Sequence, residues 1–351
     1  MSIPEPSQID TMKAHPARIY DCLLGGKDNY PVDREAAEQV LAAVPTARHM
    51  ARANRAFLQR AVRFLAGEAG IRQFLDIGTG FPTQGNVHEV AQGVTADARV
   101  VYVDNDPIVH VHANALLACD NTIVVLADLR EPDAILSHPH VRQVIDFGQP
   151  MALLLVAILH FIRDAEDPAG IIARFRDAMA PDSYLAISHA TGDFDTVAAT
   201  SAARAYDQAA APMVLRSHAE VQRLFDGFAL VDPGLVQVSQ WRPDRDQAAG
   251  HPEVWAYGGV GRKVMPPTLR PAGRAAGAVL GGPAPACQAA TAAGNDRARD
   301  SVQVLARAHT ARRPARTGSG LQPPVAVSSR VRRPEPERPH NDQLQPSRSD
   351  T

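Results

Sequence analysis

Apolar residues recur along the chain in two patterns, and the changes between them predict the order of the elements. Five short runs of β-branched and aliphatic residues have the length and continuity of strands buried on both faces. They are residues 73–77, 99–103, 122–127, 151–158 and 184–188. Between them, apolar residues at helical spacing predict helices, for example over 107–117 and 168–179. Strands that alternate with helices predict a doubly wound α/β sheet.

A helical pattern also precedes the first strand. Residues 17–70 predict two helices joined by Gly25 and Gly26, followed by a third helix over 47–66. Asp33 is the expected N-cap of the second helix, since a short polar side chain there accepts a hydrogen bond from the first turn. This helical preface leads directly into the first strand.

The region after the fifth strand predicts a different arrangement. Residues 192–216 are rich in alanine and predict a helical excursion. Residues 228–231 and 236–239 predict one broken strand, and residues 253–260 predict another. We expect these two strands to pair as an antiparallel hairpin at the edge of the sheet.

Composition divides the chain into three parts. Residues 1–16 predict a flexible lead-in, residues 17–263 a single domain (17–70 helical preface, 71–263 sheet domain), and residues 264–351 a tail. The tail has twelve prolines and no aromatic residue, so it has little apolar surface to bury and is expected to be disordered. Formal charge changes at the same boundary, from −9 over the first 263 residues to +7 over the tail.

Charge and cysteine usage limit the classes of partner. The acidic balance of the folded part argues against nucleic acid as its main partner. Cys22, Cys119 and Cys287 lie far apart and form no disulfide-like framework, which favours a reducing cytoplasm. The N-terminus lacks the apolar core of a signal peptide, and the apolar run 151–162 is too short to span a bilayer. We therefore expect a soluble cytoplasmic protein without a membrane partner.

The strongest candidate chemistry follows the first strand, where residues 76–80 read Asp-Ile-Gly-Thr-Gly. Gly78 and Gly80 would let the backbone approach a ligand closely and expose N–H groups to it. Asp104 ends the second strand, where a carboxylate accepts hydrogen bonds from a ribose diol. The pattern predicts a nucleoside-type ligand at the carboxyl ends of a parallel sheet.

Two ligand classes share such a site, and the neighbouring residues favour one of them. A dinucleotide fingerprint requires a glycine where Thr83 stands, and a pyrophosphate would be repelled by Asp76. A carboxylate at that position suits the cationic amino acid half of S-adenosylmethionine (SAM). Asp128 and Leu129 follow the third strand and could meet an adenine edge, and Asn105 adjoins the ribose position. Each acid alone could also serve as a helix N-cap, but acids at three successive strand ends favour SAM over NAD.

Long sequence words in this region resemble the actinobacterial SAM-dependent methyltransferase-like family, formerly a domain of unknown function. The resemblance covers roughly residues 15–263. The matching words are ARIYDCLLGGKDNYPVDREAAE, RANRAFLQRAVRFLA, GIRQFLDIGTGFPTQGNVHEVAQ, RVVYVDNDPIV, ADLREPDAIL, LLLVAILHFIRDAEDPAGI and SYLAISHAT.

The resemblance implies a class I methyltransferase fold, which is a Rossmann-like sheet of about seven strands, with SAM as the cofactor. Asp76, Gly78 and Gly80 match the glycine motif of the family, Asp104 matches the ribose position, and Asp128 matches the adenine side. One departure is Cys22, which stands where the family has an aromatic residue.

The polar segment around Gly25 and Gly26 has two interpretations. It could form a lid over the SAM pocket, with Arg18 or Asn29 facing the methionine carboxylate. It could instead form a helix–turn–helix whose polar groups cap one another and pack on the sheet. Arg52 and Asn54 share this ambiguity.

His160 and His189 follow the fourth and fifth strands, where open α/β sheets bind their substrates. Both are candidate catalytic residues, since a positioned histidine can act as a base near neutral pH. The alternative is that each is a hydrogen-bonded structural histidine, because methyl transfer can also proceed by proximity and orientation alone. The histidine spacings indicate no metal site.

These observations support one leading hypothesis and two alternatives. The leading hypothesis is a SAM-dependent methyltransferase that acts on a small-molecule acceptor. The first alternative is a non-catalytic protein that binds SAM or S-adenosylhomocysteine (SAH) and acts as a regulatory or interaction module. The second is an NAD-dependent oxidoreductase, which Asp76 and Thr83 disfavour.

Overall fold

Three helices precede the first strand, and from residue 73 to residue 190 helices separate successive strands, as the sequence predicts. The structure is a computed structural model that describes residues 10–82, 85–116, 121–244 and 253–264. The strands are β1 (Gln73–Ile77), β2 (Arg99–Asp104), β3 (Thr122–Leu126), β4 (Ala152–Val156), β5 (Tyr184–Ala190), β6 (Phe228–Leu230), β7 (Val236–Gln237) and β8 (Ala256–Lys263). The helices are α1 (Pro16–Leu24), α2 (Pro31–Ala43), α3 (Ala47–Gly67), α4 (Val87–Val94), α5 (Pro107–Leu116), α6 (Pro132–Ser137), α7 (Pro139–Val144), α8 (Pro168–Ala178), α9 (Thr196–Arg204) and α10 (His218–Arg223).

The strands form one sheet in the order β3-β2-β1-β4-β5-β8-β6, with β7 paired to β8. Strands β1 to β5 are parallel, and β8 runs antiparallel to β5, β6 and β7. The direction of strand succession reverses between β1 and β4, which opens a crevice at the carboxyl ends of these strands. The predicted doubly wound α/β sheet is confirmed.

Side chains that alternate along the strands pack on both faces of the sheet. On one face, Leu75 and Val101 pack with residues of α6, α7, α8 and α10. On the other face, Phe74 and Val100 pack with residues of α3 and α4. Because side chains two residues apart share a face, Asp76 points to the same side as Phe74 and therefore toward α3.

The predicted antiparallel hairpin at the edge of the sheet is confirmed, since β6 and β7 pair with β8 and β6 is the last strand. Strand β8 lies inside the sheet, between β5 and β6. Its glycines allow this burial, because an added Cβ at Gly258 would lie 2.9 Å from Phe57 and one at Gly261 would lie 2.8 Å from Phe228. The predicted broken strand is present as β6 and β7, so the sheet has eight strands where about seven were expected.

Helices α1, α2 and α9 pack together over the carboxyl ends of the strands, and we call them, with α3, the helical cover. Ile19, Val40 and Tyr206 are buried in their shared apolar cluster. The prediction that Asp33 is the N-cap of α2 is wrong. Tyr30 takes that position, and Asp33 lies at the third residue of the helix. From there its carboxylate accepts hydrogen bonds from the backbone N–H groups of Tyr30 and His15.

Several sequence predictions concern residues outside the described ranges. They are the disordered tail beyond Val264, the first nine residues of the lead-in, Thr83, Cys119 and Cys287. Within the described part of the lead-in, Ala14 is buried and the His15 side chain caps α1. None of the described helices is long and apolar enough to cross a membrane.

Candidate functional site

A cavity of about 1780 Å³, counting the space at its mouth, opens at the carboxyl ends of the parallel strands beneath the helical cover. Nine of the eleven predicted site residues line it. They are Asp76, Gly78, Gly80, Asp104, Asn105, Asp128, Leu129, His160 and His189. The structure therefore brings together the strand-end residues that the sequence separates by more than a hundred positions.

The glycine turn after β1 has the backbone geometry that the sequence predicts. Gly78 and Gly80 have φ angles of 76° and 64°, a region that favours glycine. An added Cβ at Gly78 would lie 2.6 Å from Ile158, so this glycine is required by close packing. An added Cβ at Gly80 would meet nothing within 4 Å, so open space for a ligand adjoins this residue.

Asp76 is a buried carboxylate without a hydrogen-bond donor among the described residues. Only 5% of the residue is exposed, and its side chain makes no hydrogen bond with another described residue. Burial raises its pKa to about 7, with the positive charge of Arg55 opposing this shift and the negative charge of Asp104 adding to it. A buried carboxylate without a donor is costly unless a bound cation compensates it, so the geometry favours a cationic group here.

Arg55 is a site residue that the sequence reasoning missed. It lies on α3 and lines the same cavity, and its Nη2 atom is buried with no hydrogen-bond partner in the part of the chain that the structure describes. The neighbouring candidate Arg52 is exposed instead. Its place follows from the structure, because Arg55 lies one helical turn from Ala51 and Leu58, which are both buried and line the cavity. No local sequence pattern distinguishes it from Arg52.

Asp104 shapes the turn as well as the cavity. Its two carboxylate oxygens accept hydrogen bonds from the backbone N–H groups of Gly80 (2.8 Å) and Asp106 (2.9 Å). Burial raises its pKa, and these hydrogen bonds oppose the shift. The side chain thus connects the ends of β1 and β2 at the rim of the cavity.

Asp128 is held by neighbours on the same side of the cavity. Its carboxylate accepts hydrogen bonds from Arg130 (2.9 Å) and from the Asn105 amide (3.0 Å). Burial alone would raise the pKa of Asp128, but the hydrogen bonds from Arg130 and Asn105 bring it below its ordinary value. The adjacent Leu129 is buried and adds an apolar surface.

Arg18 and Asn29 do not line the cavity, in contrast to the expectation that they face a methionine carboxylate. The Arg18 Nε donates to Asp106 at 3.0 Å, and the guanidinium stacks over Tyr30. The Asn29 amide donates to Asp21 at 2.8 Å and lies near the surface. Both side chains hold the helical cover in position, which is the structural alternative considered for this segment.

His189 has no ring nitrogen available to act as a base. Its Nδ1 lies 2.7 Å from the Ala190 carbonyl oxygen, which can only accept a hydrogen bond, so Nδ1 carries the proton. Its Nε2 lies 2.9 Å from Arg216 Nη1 and must accept from that guanidinium. Burial lowers its pKa to about 4, and Arg216 adds to the shift. This arrangement argues against the predicted catalytic role of His189 and gives it a positioning role.

His160 has one nitrogen that could contact a ligand. Its Nδ1 accepts a hydrogen bond from the Ala190 N–H at 3.4 Å, so the proton of the neutral ring is on Nε2. Burial lowers its pKa well below the ordinary value, and His189 and Arg216 add to this effect. The ring is therefore neutral near pH 7 and can donate a hydrogen bond, but it cannot accept one at Nε2.

Arg216 is a second residue that the sequence reasoning missed. The residue is buried, and its guanidinium donates to the carbonyl oxygens of Leu159 and Ile162, which flank His160. It also holds His189, so one side chain fixes both histidines. No local sequence pattern marks it, since its partners lie 27 to 57 residues earlier in the chain.

A hydrogen-bond network ties the cover to the sheet. Asn54 donates to the hydroxyl of Tyr20 and accepts from the hydroxyl of Ser188, which joins α1, α3 and β5. Asn54 thus links the cover to the sheet, and it also lines the cavity. In the part of the chain that the structure describes, no group of three or more His, Cys, Asp or Glu could hold a metal ion.

The sheet order, the glycine turn and the acids at successive strand ends define the class of protein as a class I SAM-dependent methyltransferase. A family model for S-adenosyl methyltransferases matches residues 2–264. The chain belongs to this S-adenosyl methyltransferase family, and SAM is its cofactor. The predicted family and cofactor are confirmed.

Two solved structures extend the comparison. A DUF574 family protein from Streptomyces avermitilis is 47% identical, with a TM-score of 0.70, and the match covers 73% of this chain and 99% of that one. A candidate methyltransferase from Thermobifida fusca is 45% identical, with a TM-score of 0.70, and the match covers 75% and 100% of the two chains. No curated protein matches the chain.

Proposed function

We propose that the protein transfers the methyl group of SAM to a small-molecule acceptor that enters beneath the helical cover. The observation that carries the proposal is a pair of opposite charges in one cavity, the carboxylate of Asp76 and the guanidinium of Arg55. Neither the carboxylate of Asp76 nor the buried Nη2 atom of Arg55 has a hydrogen-bond partner among the described residues. An α-amino acid group carries the two complementary charges, so the pair fits the methionine part of SAM.

The residues that would hold each part of the cofactor follow from their positions. Asp76 would bind the ammonium group and Arg55 the carboxylate group. Asp104 would accept from the ribose hydroxyls, and Asp128 with Leu129 would border the adenine. The turn at Gly80 leaves room for the ligand, because its backbone has a positive φ and an added Cβ there would meet nothing within 4 Å.

The chemistry that SAM supplies is an electrophilic methyl group on a sulfonium sulfur. An acceptor atom with a lone pair would take that methyl carbon, and the electrons of the C–S bond would stay on the sulfur, which becomes the neutral thioether of SAH. The protein contributes by orienting the two partners and by excluding water. With both nitrogens of His189 engaged and Nε2 of His160 protonated, a proton on the acceptor atom leaves to solvent at the mouth of the cavity.

Calorimetry on the full chain tests the cofactor part of the proposal. We expect SAM and SAH to bind and NAD not to bind. Asp104→Ala should weaken SAH at least tenfold because it removes the ribose acceptor. Asp182→Ala, which removes an exposed partner of Arg262, is the matched control and should leave the affinity unchanged. SAH binding of equal strength in Asp104→Ala would contradict the assignment.

Turnover separates an enzyme from a protein that only binds SAM. The full chain is incubated with SAM and a small-molecule extract, and released SAH is measured by mass spectrometry. Gly80→Arg is the inactive control, since a large side chain would fill the space beside the turn. SAM binding without SAH release above this control, across extracts from several sources, would favour a regulatory role.

A further inference from the structure

The cavity has a charged end and a neutral end. The charged residues among those that line it are Arg55, Asp76, Asp104, Asp128 and Arg130. All but Arg55 lie at or just after the carboxyl ends of β1, β2 or β3, and Arg55 acts on the charge of Asp76. The lining residues at the ends of β4 and β5 and around α9 carry no charge, since the two histidines among them are neutral.

Aromatic rings form a row along the neutral end. The rings of His160 and Phe161 are 4.5 Å apart, and those of Phe161 and Tyr206 are 5.4 Å apart. Trp255 and Met213 line the same end of the cavity. A surface of rings and a thioether favours a flat apolar ligand, since aromatic groups pack at such distances in stacked or edge-on arrangements.

Two neutral donors are available in this wall. The Tyr206 residue is 4% exposed, and its hydroxyl makes no hydrogen bond with another described residue. Burial raises the pKa of Tyr206, so the hydroxyl keeps its proton and can donate it in a hydrogen bond. The Nε2 proton of His160 is likewise without a partner in the described part of the chain. Donors left unmatched in an apolar wall select a ligand that carries an accepting oxygen.

We propose that the methyl acceptor is an uncharged, ring-bearing small molecule that packs against Phe161 and presents an oxygen to the Tyr206 hydroxyl. This inference rests on the proposed function. An anionic or a cationic acceptor is disfavoured, because no charged side chain lines the neutral end in the described part of the chain, the nearby Arg216 guanidinium is already paired with Asp164, and burying an unpaired charge is costly.

The test uses the full chain saturated with SAH, titrated in a calorimeter with three probes. The probes are 2-naphthol, naphthalene and 2-naphthoate, which share a ring system and differ in polarity. We expect 2-naphthol to bind at least tenfold more tightly than 2-naphthoate. Tyr206→Phe should weaken 2-naphthol about five- to tenfold by removing one hydrogen bond, while naphthalene and SAH keep their affinities.

Tyr184→Phe is the matched control, because Tyr184 begins β5 and lies outside the cavity lining. It should leave all three probe affinities unchanged. Failure of SAH itself to bind overturns the proposed function and the acceptor assignment with it. With SAH bound, three results overturn the acceptor assignment alone: no binding of 2-naphthol below about 1 mM, equal binding of 2-naphthoate, or a Tyr206→Phe variant that keeps its 2-naphthol affinity.

Discussion

The strand ends and the helical cover both contribute charged groups to one cavity, but they position those groups in different ways. Asp76 and Asp104 are fixed by the strands they end, whose residues are almost all buried and regularly paired. Arg18, which holds the cover without lining the cavity, is fixed by a contact with a residue far along the chain, Asp106, 88 positions later. A strand end is therefore a local property of the sequence, whereas a side-chain position in the cover depends on tertiary packing.

The largest expected effect comes from breaking the anchor of the cover. Arg18 and Asp106 are almost fully buried, with side chains 5% and 1% exposed. Arg18→Met leaves the Asp106 carboxylate without its guanidinium partner, and loss of one partner of a buried ion pair costs about 3–5 kcal/mol. We expect the free energy of unfolding in urea to fall by this amount, and SAH affinity to fall with it.

Arg63→Met is the control for that experiment. Arg63 pairs with Asp244 on the surface, where both side chains are about half exposed. Exposed pairs contribute less than about 1 kcal/mol, so this variant should unfold at nearly the same urea concentration as the wild type. Similar losses in both variants would show that the Arg18–Asp106 pair does not anchor the cover.

The second expected effect separates ligand binding from stability at the strand ends. Asp76→Asn removes the charge that would pair with the ligand ammonium, and hydrogen bonds to charged groups contribute about 1.5–3 kcal/mol. SAH affinity should therefore fall about 10- to 100-fold at pH 8. Calorimetry of the wild type and the variant measures this loss.

The raised pKa of Asp76 gives this variant a pH signature. Between its ordinary value of 3.8 and about 7, the folded protein holds a proton that the unfolded chain releases. Rising pH through this window therefore destabilises the ligand-free protein at this residue. Asp76→Asn should consequently be more stable than the wild type at pH 8 without ligand, although it binds SAH more weakly. In the wild type, SAH affinity should fall by up to tenfold for each pH unit below about 7. If the SAH affinity of Asp76→Asn falls with pH in the same way, the assignment of Asp76 to the ammonium group is contradicted.

The difference between the strand ends and the helical cover also explains which features the sequence could predict and which it could not. The sheet and the acids at its carboxyl edge follow from buried runs and the residues that end them, so β1 and Asp76 could be located from local pattern. The place of β8 inside the sheet could not, because it depends on the packing of Phe57 and Phe225 against its glycines. Arg216 could not be found either, since its role arises only where distant carbonyl oxygens converge.

The histidines show that a position at a strand end does not by itself decide the role of a side chain. Both follow strands at the predicted edge and line the cavity. Their roles depend on which ring nitrogen carries the proton, and that is decided by the backbone groups of Ala190 and by Arg216. These partners are invisible in a local sequence pattern. Because both ring nitrogens of His189 are hydrogen-bonded, its ring is held in place and is a poor candidate for a catalytic base.

The smallest expected effect comes from a comparison of two arginines on the same helix, α3. Arg55→Gln keeps a polar side chain of similar length on α3 but removes the charge that would face the ligand carboxylate. One charge-assisted hydrogen bond is worth about 1.5 kcal/mol, so SAH affinity should fall about tenfold. Arg52→Gln on the exposed side of the same helix is the matched control and should bind SAH as the wild type does. If both substitutions weaken SAH equally, the effect is one of overall charge, and the cover contributes no specific contact to the cofactor. A loss confined to Arg55→Gln, with unchanged unfolding in urea, would assign the carboxylate contact to a residue that only tertiary structure reveals.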